Sequence, residues 1–175
     1  MPLDHLWATW RAAYVTGAAD SRTIPDGQHA DGRSLFERIL AGADEEGDED
    51  AGVVWRGDHT FALLNRFPYT AGHLMVLPRR AVADLEALTP DEHGELWAAV
   101  RDAVVALKAG LACDAVNVGL NLGSAAGGSQ SDHLHVHCVP RWVGDANFIA
   151  VTAETRVLPM GLAEVGARVR AAWPR

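Results

Sequence analysis

Three histidines alternate with apolar residues in the short segment HLHVHCV, which begins at His133. A β-strand sends successive side chains to opposite faces, so this period of two predicts a strand with all three imidazoles on one face. The intervening Leu, Val and Cys side chains are then buried on the other face. The chain must therefore build a sheet with an apolar layer behind it and a surface lined by His133, His135 and His137.

Other segments have the patterns of neighbouring strands. VVWRGDHTFALLN predicts a hairpin that turns at Gly57-Asp58, and AGHLMVLPRR predicts the next strand, ended by Pro78. AVNVGLNLG alternates apolar residues with Asn and Gly, which predicts a strand with one apolar face and one small, polar face, and NFIAV predicts a further strand after the histidines. Strands joined by short connections favour an α+β fold with an antiparallel sheet over a parallel, doubly wound one.

One long amphipathic helix separates these strands, in LTPDEHGELWAAVRDAVVALKAG. Thr89 is the expected N-cap, Pro90 suits the first turn, Glu92 completes a capping box, and Gly110 is the expected C-terminal stop. The spacing of Leu and Val residues gives one apolar stripe that can lie on a sheet. A second helix is predicted for the tail GLAEVGARVRAAW.

The chain is long enough for one domain, which we divide into three parts. Residues 1–50 form an N-terminal arm and an acidic loop, residues 51–142 the core, and residues 143–175 a C-terminal strand and helix. The run ADEEGDED is predicted to be a solvated, mobile loop, because like charges at this density repel one another. Trp7 and Trp10 are expected to pack against the core or an interface.

Composition excludes several classes of partner. The net charge of −8 and the lack of a Lys/Arg cluster argue against nucleic-acid binding. The N-terminal segment has no unbroken apolar run, so neither a signal peptide nor a membrane anchor is predicted. Cys113 and Cys138 form no disulfide framework. We therefore expect a cytoplasmic protein.

The residues alone leave two chemistries open for the histidine strand. Histidines at alternate positions can share a zinc ion, but the adjacent sequence supplies mostly Gly, Ser and apolar residues as further ligands. In the second interpretation, the Gly/Ser-rich loop NLGSAAGGSQSD binds phosphate oxygens and an imidazole attacks phosphorus. That attack needs one unprotonated ring nitrogen and a partner that keeps the proton on the other.

HLHVHCVP resembles the H-φ-H-φ-H-φ-φ signature, with φ apolar, of the histidine-triad superfamily of nucleotidyl hydrolases and transferases. LLNRFPYTAGHLMVLPRR is similar to the superfamily's Asn/Asp-x-x-Pro-x-x-x-Gly-His segment, and NVGLNLGSAAGGS to its phosphate loop. The resemblance implies a five-stranded antiparallel sheet with two main helices, and a homodimer whose strands form one continuous larger sheet. LWATWRAAYV and PRWVGDANFIAV further resemble one subgroup, the triad-type diadenosine tetraphosphate phosphorylases.

The resemblance also implies roles for individual residues. His135 would be the nucleophile at the α-phosphorus, His133 would orient its imidazole, and His137 would contact phosphate and help the leaving group depart. The nucleotide-binding and phosphate-binding residues would be Asn65 for the ribose, His73 near the site, Asn121, Gly128, Ser129 and its neighbour Gln130 for the phosphates, and Trp142 at the border of the site.

Many members of the superfamily place Cys-x-x-Cys before the first strand and a histidine after the Gly-His strand, and these residues hold zinc with a further histidine. Here the corresponding residues are Ser34, Glu37 and Ala81, so no zinc site is expected. No tightly bound cofactor is expected either, and Mg²⁺ would arrive only with the nucleotide.

The predicted function is nucleotidyl transfer from an adenine dinucleotide through a nucleotidyl-histidine, with phosphorolysis of diadenosine tetraphosphate to ATP and ADP as the first choice. The partners would be an adenine nucleotide or dinucleotide and inorganic phosphate. Three alternatives remain: a dinucleoside polyphosphate or nucleoside phosphoramidate hydrolase, a metal-dependent hydrolase, and a non-catalytic nucleotide-sensing module.

Overall fold

The fold was obtained as a computed structural model, and the structure describes residues 32–127, 130–145 and 158–174. The helices within these ranges are α1 (Leu35–Glu46), α2 (Asp48–Ala51), α3 (Pro90–Leu111) and α4 (Leu162–Ala172). The strands are β1 (Val53–Arg56), β2 (Thr60–Leu64), β3 (Leu74–Pro78), β4 (Ala115–Leu120) and β5 (Val136–Arg141). Two short 3₁₀ turns lie at Leu85–Ala87 and Ser124–Ala126.

The strands form one antiparallel sheet in the order β1-β2-β3-β5-β4. The predicted α+β class, the five-stranded sheet and the hairpin at Gly57-Asp58 are confirmed. β5 lies between β3 and β4, so that His137 is opposite Met75 on one side and Gly119 on the other. The segments NFIAV and LWATWRAAYV lie outside the described residues.

The two faces of the sheet are covered to different extents. On one face, α3 and α4 bury a large core with strand residues such as Leu74 and Val136. On the other face, α1 buries Phe36 and Leu40 against β1, β2 and β3, and this second core contains no residue of β4 or β5 among those described. The open half of this face is where His137 of β5 can meet a ligand.

Helix α3 has the predicted N-terminus. The Thr89 side chain accepts from the Glu92 amide while the Glu92 carboxylate accepts from the Thr89 amide, which is a complete capping box. The predicted stop at Gly110 is wrong, because the helix continues through Leu111 and ends at Ala112 in the left-handed conformation. Gly110 instead permits close packing of α4, since a Cβ atom there would lie 2.8 Å from the Arg168 carbonyl oxygen.

The predicted acidic loop is also wrong. The structure places helix over Leu35–Glu46 and Asp48–Ala51. The helix α1 forms because Ser34 caps it and its apolar residues are buried on the sheet. The charge repulsion is relieved in part by Arg56, whose guanidinium donates to Asp44 at 2.5 Å and to Asp48 at 2.7 Å. These helices therefore belong to the packed domain although they lie before residue 51.

The edge strand β4 has a mixed environment. Val116 and Leu120 pack against the core as predicted, whereas Val118 on the same face is 44% exposed. β4 pairs only with β5 in the described part of the chain, so its other side is an open edge. None of the described helices is long and apolar enough to cross a membrane.

Candidate active site

His137 lies in β5, and His133 and His135 lie just before this strand, on the face of the sheet that α1 covers in part. Leu134, Val136 and Cys138 point into the core under α3 and are buried, as the alternation predicted. His133 is fully buried, His135 is 7% exposed, and His137 is half-buried. Exposure thus increases along the row towards the open half of the sheet.

His133 is held through both of its ring nitrogens. Its Nε2 lies 2.9 Å from the Pro78 carbonyl oxygen, which can only accept, so Nε2 has the proton. Its Nδ1 lies 2.7 Å from the Ser34 hydroxyl. Burial lowers the pKa of His133, so the ring is neutral near pH 7 and the Ser34 hydroxyl donates to Nδ1.

His135 is oriented by the main chain of His133. The Nδ1 atom of His135 lies 2.8 Å from the His133 carbonyl oxygen, so Nδ1 has the proton. Burial lowers the pKa of His135, which leaves a lone pair on Nε2 of the neutral ring. The ring of Phe36 lies 5.4 Å from the ring centres of both His133 and His135 and excludes water from that side. The structure thus provides the free nitrogen and the proton-holding partner that nucleophilic attack needs.

His137 has the opposite arrangement of protons, because it contacts His73. Nδ1 of His73 accepts from the Tyr69 amide at 3.2 Å and faces the Asn65 amide nitrogen at 3.3 Å, so Nδ1 is unprotonated. The proton of His73 is therefore on Nε2, which donates to Nδ1 of His137 at 2.9 Å. The neutral ring of His137 consequently has its proton on Nε2.

The side chain of Asn65 is fixed by a turn. Its Oδ1 accepts from the Phe67 amide at 2.9 Å, which directs the amide nitrogen towards His73. Gly72 precedes His73 with a φ of 83°, a left-handed conformation that favours glycine. A Cβ atom at Gly72 would also lie 2.3 Å from Leu111. The glycine of the Gly-His pair therefore allows the chain to enter β3 with His73 beside His137.

The pKa of His137 falls to about 4, chiefly because of burial and further because His135 is adjacent. The ring is therefore neutral at physiological pH and can act as a hydrogen-bond donor through Nε2. His135 and His137 thus present different groups, a lone pair on His135 and an N–H on His137. Such a pair suits attack on phosphorus with proton donation to an oxygen.

A cavity of about 360 Å³ lies beside the triad, over β4 and β5. Asn117 and Asn121 supply amide groups to its wall, and Tyr69 stands at its edge with its ring 4.4 Å from that of His73. The full lining is Tyr69, Asn117, Val118, Gly119, Leu120, Asn121, Ala126, His137 and Val139. Amide donors and an imidazole N–H make this cavity suitable for an anionic, oxygen-rich group.

A larger depression of about 470 Å³ lies elsewhere, around Leu85, Pro90 and Leu122. It contains none of the three triad histidines. Its single histidine, His93, is exposed and accepts from the Trp97 indole at 3.1 Å. We place the chemistry at the smaller cavity because His137 lines it and the ring of His135 lies 4.8 Å from that of His137.

The structure brings together some of the predicted site residues and not others. Asn65 and His73 are in one hydrogen-bonded chain with His137, and Asn121 lines the adjacent cavity. Gln130 is buried, while Gly128 and Ser129 lie outside the described residues. Trp142 is not among the residues that line the cavity. It directly follows β5, and its partly buried side chain packs against the core on the helix-covered side of the sheet.

The site also contains residues that the sequence did not assign to it. Ser34 reaches His133 from the start of α1, and its capping-box pattern with Glu37 was readable, although its contact with β5 was not. Phe36, in the first turn of the same helix, packs against the rings of His133 and His135. Tyr69 lies in a turn without periodicity, so no sequence signal distinguished it.

The residues at the superfamily's zinc positions do not fit a zinc ion. Ser34 uses its hydroxyl on His133 and on the Glu37 amide. The two carboxylate oxygens of Glu37 accept from the amides of Ser34 and Ala81 at 2.9 and 3.0 Å. Among the described residues, no group of three or more His, Cys, Asp or Glu side chains could hold a metal ion.

An α+β fold whose antiparallel sheet presents three alternating histidines beside a polar cavity is typical of a histidine-triad protein. The HIT domain family matches residues 46–143, more than half of the chain, and the chain belongs to that family. An AP-4-A phosphorylase from Mycobacterium tuberculosis is 42% identical over 173 residues, which are 99% of this chain and 86% of that protein.

Other relatives are similar over a shorter region. An asymmetrical bis(5'-nucleosyl)-tetraphosphatase from Schizosaccharomyces pombe is 36% identical over 93 residues, which are 53% of this chain and 50% of that protein. Among solved structures, a zinc-bound histidine triad family protein from Mycobacterium smegmatis has a TM-score of 0.62 at 28% identity, covering 79% of this chain and 91% of that one.

Proposed function

We propose that this protein splits diadenosine tetraphosphate with inorganic phosphate, giving ATP and ADP through a covalent adenylyl-His135. The observation that supports this most directly is the pairing of a lone pair on Nε2 of His135 with an N–H on Nε2 of His137. An unprotonated nitrogen can attack the α-phosphorus, and the adjacent N–H can stabilise charge on the phosphate oxygens.

The reaction balances in two steps. Nε2 of His135 forms a bond to the α-phosphorus while the bond to the bridging oxygen breaks, and ATP leaves with that electron pair. An oxygen of inorganic phosphate then attacks the same phosphorus, the phosphorus–nitrogen bond breaks, and ADP leaves. His137 is adjacent throughout, so its Nε2 proton can hydrogen-bond the oxygens whose charge changes.

The substrate would lie across the open half of the sheet. The amides of Asn117 and Asn121 and the Nε2 proton of His137 face one cavity, which suits the polyphosphate. Gly128, Ser129 and Gln130 would add phosphate contacts by resemblance, and the ribose would contact Asn65. The chain is acidic overall, so local donors must balance the charge of the four phosphates. Mg²⁺ bound to the nucleotide would neutralise part of that charge.

Phosphorolysis is favoured over hydrolysis by the extent of the similarity. The relative named as a phosphorylase matches 99% of this chain, whereas the relative named as a tetraphosphatase matches 53%. The choice depends on whether phosphate or water reaches the adenylyl-histidine.

The proposed assembly is a cytoplasmic homodimer joined through β4. One side of this strand is an open edge among the described residues, and open edges favour pairing with another strand. Val118, Val105 and Trp97 are apolar residues of β4 and α3 that are 44%, 47% and 36% exposed. Light scattering on the intact chain tests this proposal, with a monomeric mass as the contrary result.

Product analysis tests the reaction. The protein is incubated with diadenosine tetraphosphate and Mg²⁺, with and without inorganic phosphate, and the nucleotides are separated. ADP and ATP formed only with phosphate support phosphorolysis, whereas AMP and ATP formed without phosphate indicate a hydrolase. No consumption of dinucleotides or nucleoside phosphoramidates, together with nucleotide-dependent binding of a partner that survives His135→Asn, would indicate a sensing module.

A further inference from the structure

The residue that caps helix α1 also contacts the histidine triad. Ser34 is 1% exposed, and its hydroxyl oxygen accepts from the Glu37 amide at 3.2 Å. The same hydroxyl lies 2.7 Å from Nδ1 of His133, 99 residues away in the chain. One buried hydroxyl thus joins the start of a helix to the segment that leads into β5.

The arrangement of protons in this network is determined at every bond. The Pro78 carbonyl can only accept, so it takes the Nε2 proton of His133 and leaves Nδ1 as an acceptor. The hydroxyl proton of Ser34 must then point to Nδ1, while its oxygen accepts from Glu37. The backbone beside His133 is held as well, because the Leu134 amide donates to the Val82 carbonyl at 2.6 Å.

Glu37 connects the cap of α1 to the segment that follows β3. Its Oε2 accepts from the Ser34 amide at 2.9 Å and its Oε1 accepts from the Ala81 amide at 3.0 Å. The carboxylate therefore fixes the position of Ser34 relative to the chain that follows β3. The pKa of Glu37 is lowered because the hydrogen bonds from these amides outweigh its burial, so the carboxylate remains charged at neutral pH.

We propose that Ser34, held by Glu37, is a positioning residue that fixes the proton of His133 and thereby the orientation of the His133 carbonyl that holds Nδ1–H of His135. The proposal relies on the function proposed above, in which His135 is the nucleophile. Ser34 does not reach the reacting atoms in this scheme. It acts through two hydrogen bonds in series, Ser34 to His133 and His133 to His135.

A second capping box in the same chain provides a control that distinguishes the positioning role of Ser34 from its role as a helix cap. Thr89 and Glu92 make the same reciprocal bonds at the start of α3. Thr89 has no hydrogen bond to a histidine ring among the bonds found in the described residues. Thr89→Ala therefore removes a cap of the same kind without removing a contact with the triad.

The wild-type protein gives the first test, by long-range ¹H–¹⁵N NMR of the histidine rings at neutral pH. The proposal predicts a proton on Nε2 of His133 and on Nδ1 of His135. A proton on Nδ1 of His133, or on Nε2 of His135, would overturn it. This measurement needs neither substrate nor a variant.

Variants give the second test, with Thr89→Ala as the matched control. Ser34→Ala should lower kcat by roughly 10- to 100-fold with a smaller change in KM, as is usual when a hydrogen bond that orients a reactive group is lost. Ser34→Asp should preserve the cap but supplies only an acceptor, so His133 should gain a second ring proton and kcat should fall similarly. Thr89→Ala should keep the kcat of the wild type.

The contrary result is a kcat of Ser34→Asp equal to that of Thr89→Ala, with the His135 ring unchanged in the NMR spectrum. Ser34→Asp also covers the case in which Ser34→Ala does not fold. If the variants alter the ring protons but the wild type consumes no diadenosine tetraphosphate, the positioning role stands and the proposed function fails. If diadenosine tetraphosphate is consumed and kcat does not change when Ser34 is replaced, the proposed function stands and the positioning role fails.

Discussion

The Nε2 atom of His73 donates to the Nδ1 atom of His137 at 2.9 Å, and this one bond places the remaining proton of His137 on the nitrogen that is free for a ligand. His73 can donate from Nε2 because its own Nδ1 accepts from the Tyr69 amide. The position of the proton on His137 is therefore set from a turn, outside the triad itself.

Replacing His73 should damage catalysis more than binding. In His73→Phe the ring of His137 loses its donor and can take either tautomer, so kcat should fall by roughly 10- to 100-fold while KM changes less. Steady-state kinetics with diadenosine tetraphosphate and phosphate measures both constants. His93→Phe is the control, since His93 lies on the surface of α3, and a kcat equal to that of this control would contradict the role of His73.

The stability of the protein should fall in mildly acidic solution. The pKa of His137 is about 4 instead of the usual 6.5, chiefly because of burial, and burial also lowers the pKa values of His133 and His135. Below pH 6.5 the unfolded chain takes up protons that the folded rings do not, so the free energy of unfolding is highest above that pH and decreases as the pH falls towards 4.

Urea unfolding between pH 7.5 and about 5 measures this loss, and the range isolates histidine titration. The pKa of Glu92, lowered chiefly by Arg80, and that of Asp145, lowered chiefly by Arg141, are both about 2, so these carboxylates act at lower pH. The His137→Asn variant should lose part of the slope. A free energy of unfolding that stays constant down to about pH 5 would contradict the neutral triad.

The amide of Asn121 should contribute to substrate affinity. Asn121→Ala removes a donor from the cavity beside His137, which should raise KM for the dinucleotide by about tenfold or more, since hydrogen bonds to charged groups are worth about 1.5–3 kcal/mol. Asn117→Ala provides the comparison in the same wall. Oδ1 of Asn117 accepts from Arg141 at 3.0 Å, which leaves its amide N–H groups to the cavity, so Asn117→Ala should raise KM as well. Equal KM values for the wild type and Asn121→Ala would exclude this contact.

Two glycines of α3 should respond in opposite directions to the same substitution. Gly110→Ala places a Cβ atom 2.8 Å from the Arg168 carbonyl oxygen, so α4 must shift and the protein should lose about 1–3 kcal/mol of stability. Gly94→Ala meets nothing within 4 Å and should gain up to about 1 kcal/mol, because alanine favours helix. Urea denaturation of both variants tests the close packing of α3 and α4. Equal free energies of unfolding for the two variants would contradict it.

The sequence predicted the sheet and the position of the triad because these depend on local periodicity. Alternation placed His133, His135 and His137 on one face, and the capping box at Thr89 placed the start of α3. The helix across the acidic run was missed, since its stability comes from the burial of Phe36 and from ion pairs with Arg56 that only the folded chain assembles.

The proton arrangement in the site could not be predicted from local pattern. The bonds of Ser34 to His133 and of His73 to His137 span 99 and 64 residues, so they depend on the register of strands and on where α1 packs. His133 was predicted to orient the imidazole of His135, and the structure adds that the contact is made by the His133 carbonyl oxygen. The place of Trp142 at the border of the site stays a prediction from resemblance, and the structure shows its side chain partly buried against the core.

The covalent intermediate provides the most direct test of the proposed chemistry. The wild type and His135→Asn are mixed with diadenosine tetraphosphate in the absence of phosphate, quenched rapidly in alkali, digested and analysed by mass spectrometry. We expect an adenylyl group on the peptide with His135 in the wild type, its discharge as ADP when phosphate is added before the quench, and no such peptide in the variant. Turnover by His135→Asn at the wild-type rate, or an adenylyl group on any other residue, would contradict it.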